Sequence, residues 1–148
     1  MRLLFALEEA KGEAFDLQRL VSYDYLLVHS GDVEGGPASL HPAVPFRGGE
    51  LLVKRELVRL GLDTMFAKEL LQKSFEPTGI CYRATALTGA FLKLLVSAYA
   101  SSLRARATWV VSRFAEYTDD MLENYMTENV DRWGTEFDRL TAIKELEL

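Results

Sequence analysis

Two histidines and one aspartate come nearest to the residue types and spacing of a metal or acid–base site: His29, Asp32 and His41. Imidazole and carboxylate groups bind zinc and also move protons during catalysis. Their spacing matches no metal-ligand motif, and a loop can bring almost any three residues together. We therefore expect the histidines to satisfy loop backbone groups. A small hydrolase that uses these three residues stays an alternative, which metal analysis of the purified protein would test.

Sequence motifs for other catalytic chemistry do not occur in the chain. The glycines Gly31, Gly35 and Gly36 follow no predicted strand and precede no Gly-Lys-Ser/Thr, so they form no phosphate-binding fingerprint. The single cysteine, Cys81, excludes an internal disulfide and a cysteine-based zinc site. No Gly-x-Ser-x-Gly or His-Glu-x-x-His sequence is present. We expect no catalytic residue, no metal and no cofactor, and we predict that the protein is not an enzyme.

The elements that position these residues are predicted to be mainly helices. Apolar residues at helical spacing predict helices over 1–11 and 17–29, the second with Asp16 as its N-cap. A third helix is predicted over 49–60, with Leu57 and Val58 in its apolar stripe. Gly61 is expected to break or bend it before a further helical segment.

Residues 30–46 form a long polar loop that is rich in glycine and proline. At about seventeen residues it exceeds the usual connection between helices, and ordered loops of this length are more often functional than filler.

A β-hairpin is predicted after the third helix. Pro77 and Gly79 are placed as in a tight turn, and residues 80–84 alternate with a period of two. Three helices followed by a hairpin are the element order of a winged-helix domain, and the fold is assigned by analogy with that order.

The C-terminal part is predicted to be helical, with Ser97 and Thr118 as N-caps and a break at Gly134. The predicted fold class is therefore mostly α with a small β-hairpin. It consists of a winged-helix-like domain over 1–85 and a C-terminal helical extension over 86–148 that packs on it.

Charge is distributed unevenly along the chain of 148 residues. Residues 116–148 hold ten Asp/Glu and three Arg/Lys, a net of −7, whereas residues 1–115 carry a net of +2. The acidic part argues against a protein whose whole surface binds nucleic acid.

The N-terminal apolar run is too short for a signal peptide, and no apolar run approaches the ~20 residues of a membrane span. We expect a cytoplasmic protein without a membrane partner.

Basic residues on the third helix and the hairpin permit a second interpretation, a winged-helix transcription regulator that binds duplex DNA. Interleaved glutamates make the electrostatic anchor weak, so a solvated helix face is at least as consistent with the pattern. The nucleic-acid contacts under this alternative are Lys54, Arg55, Arg59, Lys73 and Arg83.

The segment DYLLVHSGDVEGGPASLHPAVPFRGGELLVKRELVRLGL, residues 24–62, resembles the middle components of bacterial ABC three-component, Lamassu-like conflict systems. Those proteins share a DYLLVHSGD-like helix end, a GGP-x-SLHP-like loop and a PxRxGELLVRR-like helix. The resemblance continues more loosely through FEPTGICYRAT and the regions of Trp109 and Trp133.

The resemblance implies a non-enzymatic winged-helix adaptor that links an SMC-like or ABC-type ATPase subunit to an effector subunit in anti-phage defence. DNA would be reached through the complex, and the family supplies no catalytic residues. We expect the loop and the basic helix to dock on a protein partner. The proposed docking residues are Asp32, Glu34, His41, Arg47, Arg55 and Arg59.

Overall fold

The structure is a computed structural model that describes residues 1–42, 47–130 and 132–133, with side chains described outside 47–53. Helices account for most of it, and one small antiparallel sheet is present, which confirms the predicted fold class. In chain order the elements are α1 (Leu3–Glu9), β1 (Phe15–Asp16), α2 (Leu17–Val28), a 3-10 turn (Ser30–Asp32), α3 (Arg47–Ala67), β2 (Leu71–Glu76), β3 (Gly79–Ala84), α4 (Ala86–Leu92), α5 (Ala98–Arg113) and α6 (119–130).

Helix α2 lies at the centre of the molecule, with α1, α3 and α5 packed around it. Asp16 caps its N-terminus by accepting a hydrogen bond from the Arg19 backbone N–H, as predicted. Every residue from 19 to 28 is buried, so polar side chains on this helix need partners inside the protein. Asp24 accepts two hydrogen bonds from the Arg2 guanidinium, at 2.7 and 2.9 Å.

The predicted hairpin is confirmed as β2 and β3, which pair from Leu71↔Ala84 to Glu76↔Gly79 around the two residues of the turn. Strand β1 was not predicted from the sequence, and its Phe15 pairs with Tyr82 of β3. The sheet order is therefore β1-β3-β2. Cys81 is buried within β3.

Helix α3 corrects two predictions. It runs from Arg47 to Ala67 without a break at Gly61, because a glycine costs a helix interior only about 1 kcal/mol and Val58 and Leu62 on either side of it are buried. Leu57 was predicted to point inward with Val58, yet its side chain is 61% exposed. Side chains at adjacent helix positions point about 100° apart, so Leu57 and Val58 cannot both face the core. The side of α3 that packs against the rest of the protein carries Val58.

Helices α5 and α6 begin at the predicted caps. Ser97 accepts from the Ala100 backbone N–H at the start of α5, and Thr118 accepts from the Met121 backbone N–H at the start of α6. Helix α4 ends at Leu92, and α5 packs against α1 and α2. The division into 1–85 and 86–148 stays a prediction, and the predicted break at Gly134 lies outside the described residues.

Candidate functional site

The loop that follows α2 is held in place by hydrogen bonds. The backbone N–H groups of Leu40 and His41 both donate to the carbonyl of Val28, at 2.9 and 3.0 Å. The guanidinium of Arg106 on α5 donates twice to the carbonyl of Ala38, at 3.0 and 2.8 Å. At the start of the loop, the Gly31 N–H donates to Ser39 Oγ at 2.9 Å. These bonds fix the described part of the loop, 31–42, against α2 and α5.

The three residues with possible chemistry each contact an aromatic side chain. The Tyr25 hydroxyl donates to Asp32, and the buried His29 ring lies 4.7 Å from the Tyr25 ring. His41 Nε2 lies 2.8 Å from the Tyr99 hydroxyl, and the two histidine rings meet edge to face at 6.3 Å. Within 1–42, 47–130 and 132–133, no group of three or more His, Cys, Asp or Glu side chains is arranged to hold a metal ion.

The predicted docking residues differ in how much of their polar surface faces solvent. Glu34 is exposed at the outer side of the loop, whereas Asp32 is half-buried and bound by Tyr25. Arg55 is exposed and donates to Gln18 Oε1 on α2. The backbone of Arg47 begins α3, and its side chain lies outside the described residues.

Two carboxylates neutralise part of the predicted basic surface. Arg59 pairs with Glu56 and, at 3.1 Å, with Asp63. Lys73 on β2 donates to the other oxygen of Asp63 at 2.8 Å. The hydrogen bond from Lys73 lowers the pKa of the Asp63 carboxyl, and the charges of Lys73 and Arg59 lower it further. Arg59 and Lys73 are therefore held by protein carboxylates.

Apart from Arg55, which is described above, the remaining cations of the nucleic-acid prediction are Arg83 and Lys54. Arg83 is half-buried on β3, the central strand of the sheet. Lys54 is half-buried on α3 and lines a groove on the side of α3 that faces α1. The predicted set therefore does not form one continuous cationic surface on α3 and the hairpin.

The groove beside Lys54 was not predicted from the sequence. It has a volume of about 650 Å³ and lies between α3, the N-terminal residues and the connection from α4 to α5. Its walls include several apolar side chains that water reaches, among them Met1 (60% exposed), Leu57 (61%), Leu94 (76%) and Val96 (89%). One stretch of the sequence does indicate it. The run LKLLV, residues 92–96, comes just before the Ser97 cap and contains more apolar residues than the buried side of a short helix can use.

The lining of the groove includes the Arg2–Asp24 ion pair. Asp24 is buried on α2 and Arg2 is half-buried, so the pair is partly screened from water. Tyr99, which binds His41 through its hydroxyl, lines the groove as well. The groove is thus connected through Tyr99 to the loop that follows α2.

No helix in the described part of the chain combines the length and apolar character required to cross a bilayer. Neither the curated proteins nor the solved structures include a significant match to this sequence. A family model matches residues 1–136, nearly the whole chain. The chain belongs to the family of ABC-three component (ABC-3C) system Middle Component 2.

Proposed function

We propose that this protein is a non-enzymatic cytoplasmic adaptor that joins an SMC-like or ABC-type ATPase subunit to an effector subunit in an anti-phage defence complex. The observation that carries the proposal is the family match over residues 1–136, since a middle component works with the other proteins of its system. The adaptor binds its partners through protein surfaces, and we assign it no catalytic residue and no cofactor.

The arrangement of elements supports a winged-helix assignment for the N-terminal part. Helices and strands follow the order α1-β1-α2-α3-β2-β3, and the hairpin pairs with β1 in a sheet of order β1-β3-β2. Winged-helix domains combine three helices with a hairpin in this way. Because one fold serves many functions, the assignment does not by itself decide between DNA and protein as the ligand.

The loop and residues 47–59 of α3 are the proposed docking surface, with Asp32, Glu34, His41, Arg47, Arg55 and Arg59 as its residues. Its support is preorganisation: hydrogen bonds to the Val28 carbonyl and Ser39 Oγ, and from the Arg106 guanidinium, fix the described part of the loop before a partner arrives, which lowers the entropy lost on binding. Among these residues, Glu34 and Arg55 have exposed side chains of opposite charge.

Co-purification of the tagged protein with the ATPase and effector subunits encoded beside it tests the adaptor role. We expect a complex that contains all three proteins. The double variant Glu34→Lys with Arg55→Glu should weaken the complex and reduce phage protection while the protein stays folded. A matched control is Glu123→Lys with Lys68→Glu, which changes exposed charges elsewhere by the same amounts. A folded double variant with full complex formation and protection would show that this docking surface is wrong.

Duplex-DNA binding by the isolated protein is the alternative from the sequence. The ion pairs of Asp63 with Arg59 and Lys73 weaken it, because a phosphate would have to compete with a carboxylate already in place. Titration of the isolated protein with duplex DNA at low salt distinguishes the two functions. We expect no sequence-selective mobility shift, and salt-sensitive, selective binding would favour the regulator instead.

A further inference from the structure

Strand β2 lies at the edge of the sheet, because the strand order is β1-β3-β2. The turn between β2 and β3 has two residues, so the flanking pair Glu76↔Gly79 exchanges both backbone hydrogen bonds, and bonded and non-bonded pairs alternate along the hairpin. The backbone N–H and C=O groups of Leu71, Lys73 and Phe75 therefore point away from β3. Among the described residues, no further strand pairs with this outer side of β2.

The usual protections of an exposed strand edge are weak on β2. Natural edges carry prolines, bulges or outward lysines that prevent pairing with another chain. β2 contains no proline, and its register with β3 runs without a bulge. Its one lysine, Lys73, is held at α3, with Nζ 2.8 Å from Asp63 Oδ1 and 4.6 Å from the centre of the Phe66 ring. The other charged residue, Glu76, lies beside the turn, so the middle of the edge is open to pairing.

Two side chains on β2 lack contacts that a neighbouring strand would provide. The Phe75 side chain is 84% exposed, and Ile80, which pairs with it across the hairpin, is itself 43% exposed. The Ser74 hydroxyl is buried and has no hydrogen-bond partner among the described residues. A strand added on the outer side of β2 would give both side chains a cross-strand neighbour.

We propose that β2 pairs antiparallel with β2 of a second copy of this chain, about a two-fold axis at Ser74. The two small sheets then form one continuous sheet, in which residues 72–76 face residues 76–72 of the second copy. Each Ser74 hydroxyl lies opposite its own equivalent, and hydroxyl pairs of this kind stabilise a sheet. Each Phe75 ring lies opposite Lys73 of the second copy, where it packs on the lysine's methylene chain.

The sequence of β2 favours this register over the others. In the register centred on Ser74, Gln72 faces Glu76 and no like charges are opposed. A register centred on Lys73 would place two lysines directly opposite each other. One centred on Phe75 would place Lys73 opposite Pro77, whose nitrogen has no hydrogen to donate. Registers centred closer to the start of β2 leave the exposed phenylalanine outside the paired strands. The edge is therefore complementary to itself, which identifies a second copy as its occupant.

The contact between two short strands is small, so the dimer should be weak. Stable interfaces bury roughly 1,200–2,000 Å² in total, and this contact is below that range, so we expect a dissociation constant of about 1–100 μM. Sedimentation equilibrium of the full-length protein over about 5–500 μM measures it. We expect a reversible equilibrium between monomer and dimer. A protein that stays monomeric over this whole range would overturn the proposal.

Substitutions at Phe75 test whether the dimer forms through the edge. Phe75→Pro removes the ring and the outward N–H but leaves the bonds between β2 and β3, so it should weaken the dimer about tenfold or more. Phe75→Lys sets a lysine opposite Lys73 of the second copy and should weaken it to a similar degree. Met121→Lys is the matched control, because Met121 is a 50% exposed apolar residue on α6, and dimerisation should be unchanged.

Disulfide trapping tests the register. Cys81→Ser first removes the native thiol, which lies opposite Ser74 within the hairpin. In this background Ser74→Cys should give a disulfide-linked dimer on mild oxidation, because the opposed Cβ atoms lie about 4.5–5.5 Å apart. Gln72→Cys should not crosslink with itself, since its equivalent lies about 13 Å along the strand. It should crosslink with Glu76→Cys when the two proteins are mixed.

Each other outcome contradicts the proposal in its own way. A dimer that neither Phe75→Pro nor Phe75→Lys weakens forms through another surface. Gln72→Cys that crosslinks with itself as readily as Ser74→Cys excludes the two-fold register. Thermal unfolding of each variant shows whether a loss of dimer reflects the edge rather than the fold. All measurements use this protein alone, so they are independent of the adaptor function. If that function holds as well, the dimer presents its partners with two copies of the docking surface.

Discussion

The guanidinium of Arg19 on α2 and the carboxylate of Asp119 at the start of α6 form an ion pair, with Nε and Oδ1 2.7 Å apart, across one hundred positions of the chain. Arg19 also donates to the Tyr23 hydroxyl at 2.9 Å and to the carbonyls of Phe114 and Tyr117. One buried side chain thereby joins the central helix to the turn after α5 and to the beginning of α6.

Replacement of this arginine by an apolar residue should destabilise the protein strongly. Arg19→Met leaves two backbone carbonyls and a tyrosine hydroxyl without this donor, and we expect a loss of about 2–4 kcal/mol in the free energy of unfolding. Urea denaturation measures it. Arg113→Met is the matched control, because that arginine is exposed over Phe114 and its loss should cost less than about 1 kcal/mol. Equal losses would show that the Arg19 contacts do not stabilise the fold.

Substitution at Gly61 tests the continuity of α3. A Cβ atom at this position meets no atom of the described residues within 4 Å, so Gly61→Ala should stabilise the protein by about 0.5–1 kcal/mol through helix propensity and reduced freedom of the unfolded chain. Ala105→Gly, at an exposed position of α5, is the control, and it should destabilise the protein by a similar amount. Destabilisation by Gly61→Ala would instead favour the break that the sequence suggested.

Elements with strong local signals could be predicted from the sequence. The start of α2 was identified because Asp16 comes just before an apolar stretch with helical spacing. The hairpin was identified because its turn residues, Pro77 and Gly79, are followed by residues that alternate with a period of two. Strand β1 has two residues, too few to show a period, and its pairing with Tyr82 depends on a contact distant in sequence.

The candidate site was harder to predict than the fold. Burial of Val58 rather than Leu57 depends on how α3 packs on α2, so the exposure of Leu57 at the groove carries no local signature. Lys73 looked available for phosphates because its partner, Asp63, meets it only once β2 lies beside α3. Arg59 pairs instead with Glu56 and Asp63, three and four positions away on the same helix, a local pairing that the sequence spacing already allowed.

Substitution at Gly36 tests whether the loop depends on close packing. A Cβ atom at this position would lie 2.3 Å from the carbonyl oxygen of Ser30 and 3.0 Å from the Trp109 ring. Gly36→Ala should therefore cost about 1–3 kcal/mol and change the fluorescence of Trp109. Glu34→Ala in the same loop is exposed and should stay within about 0.5 kcal/mol of the wild type. An unchanged Gly36→Ala protein would contradict the observed approach of the loop to Ser30.

The pKa of Asp63 gives a test of the ion pairs on α3. Because the Lys73 hydrogen bond lowers this pKa, Lys73→Met should raise it toward the ordinary value near 3.9, as measured by NMR titration of the carboxyl carbon. A carboxyl whose pKa is lower in the folded state contributes stability above its unfolded pKa and loses that contribution as pH falls through its folded pKa. The wild type should thus lose more stability than Lys73→Met below about pH 4.

Lys68→Met, at an exposed lysine, should leave the Asp63 titration unchanged. If the Asp63 pKa stays the same in Lys73→Met, the lysine does not hold that carboxylate in solution, and one obstacle to phosphate binding by Lys73 disappears.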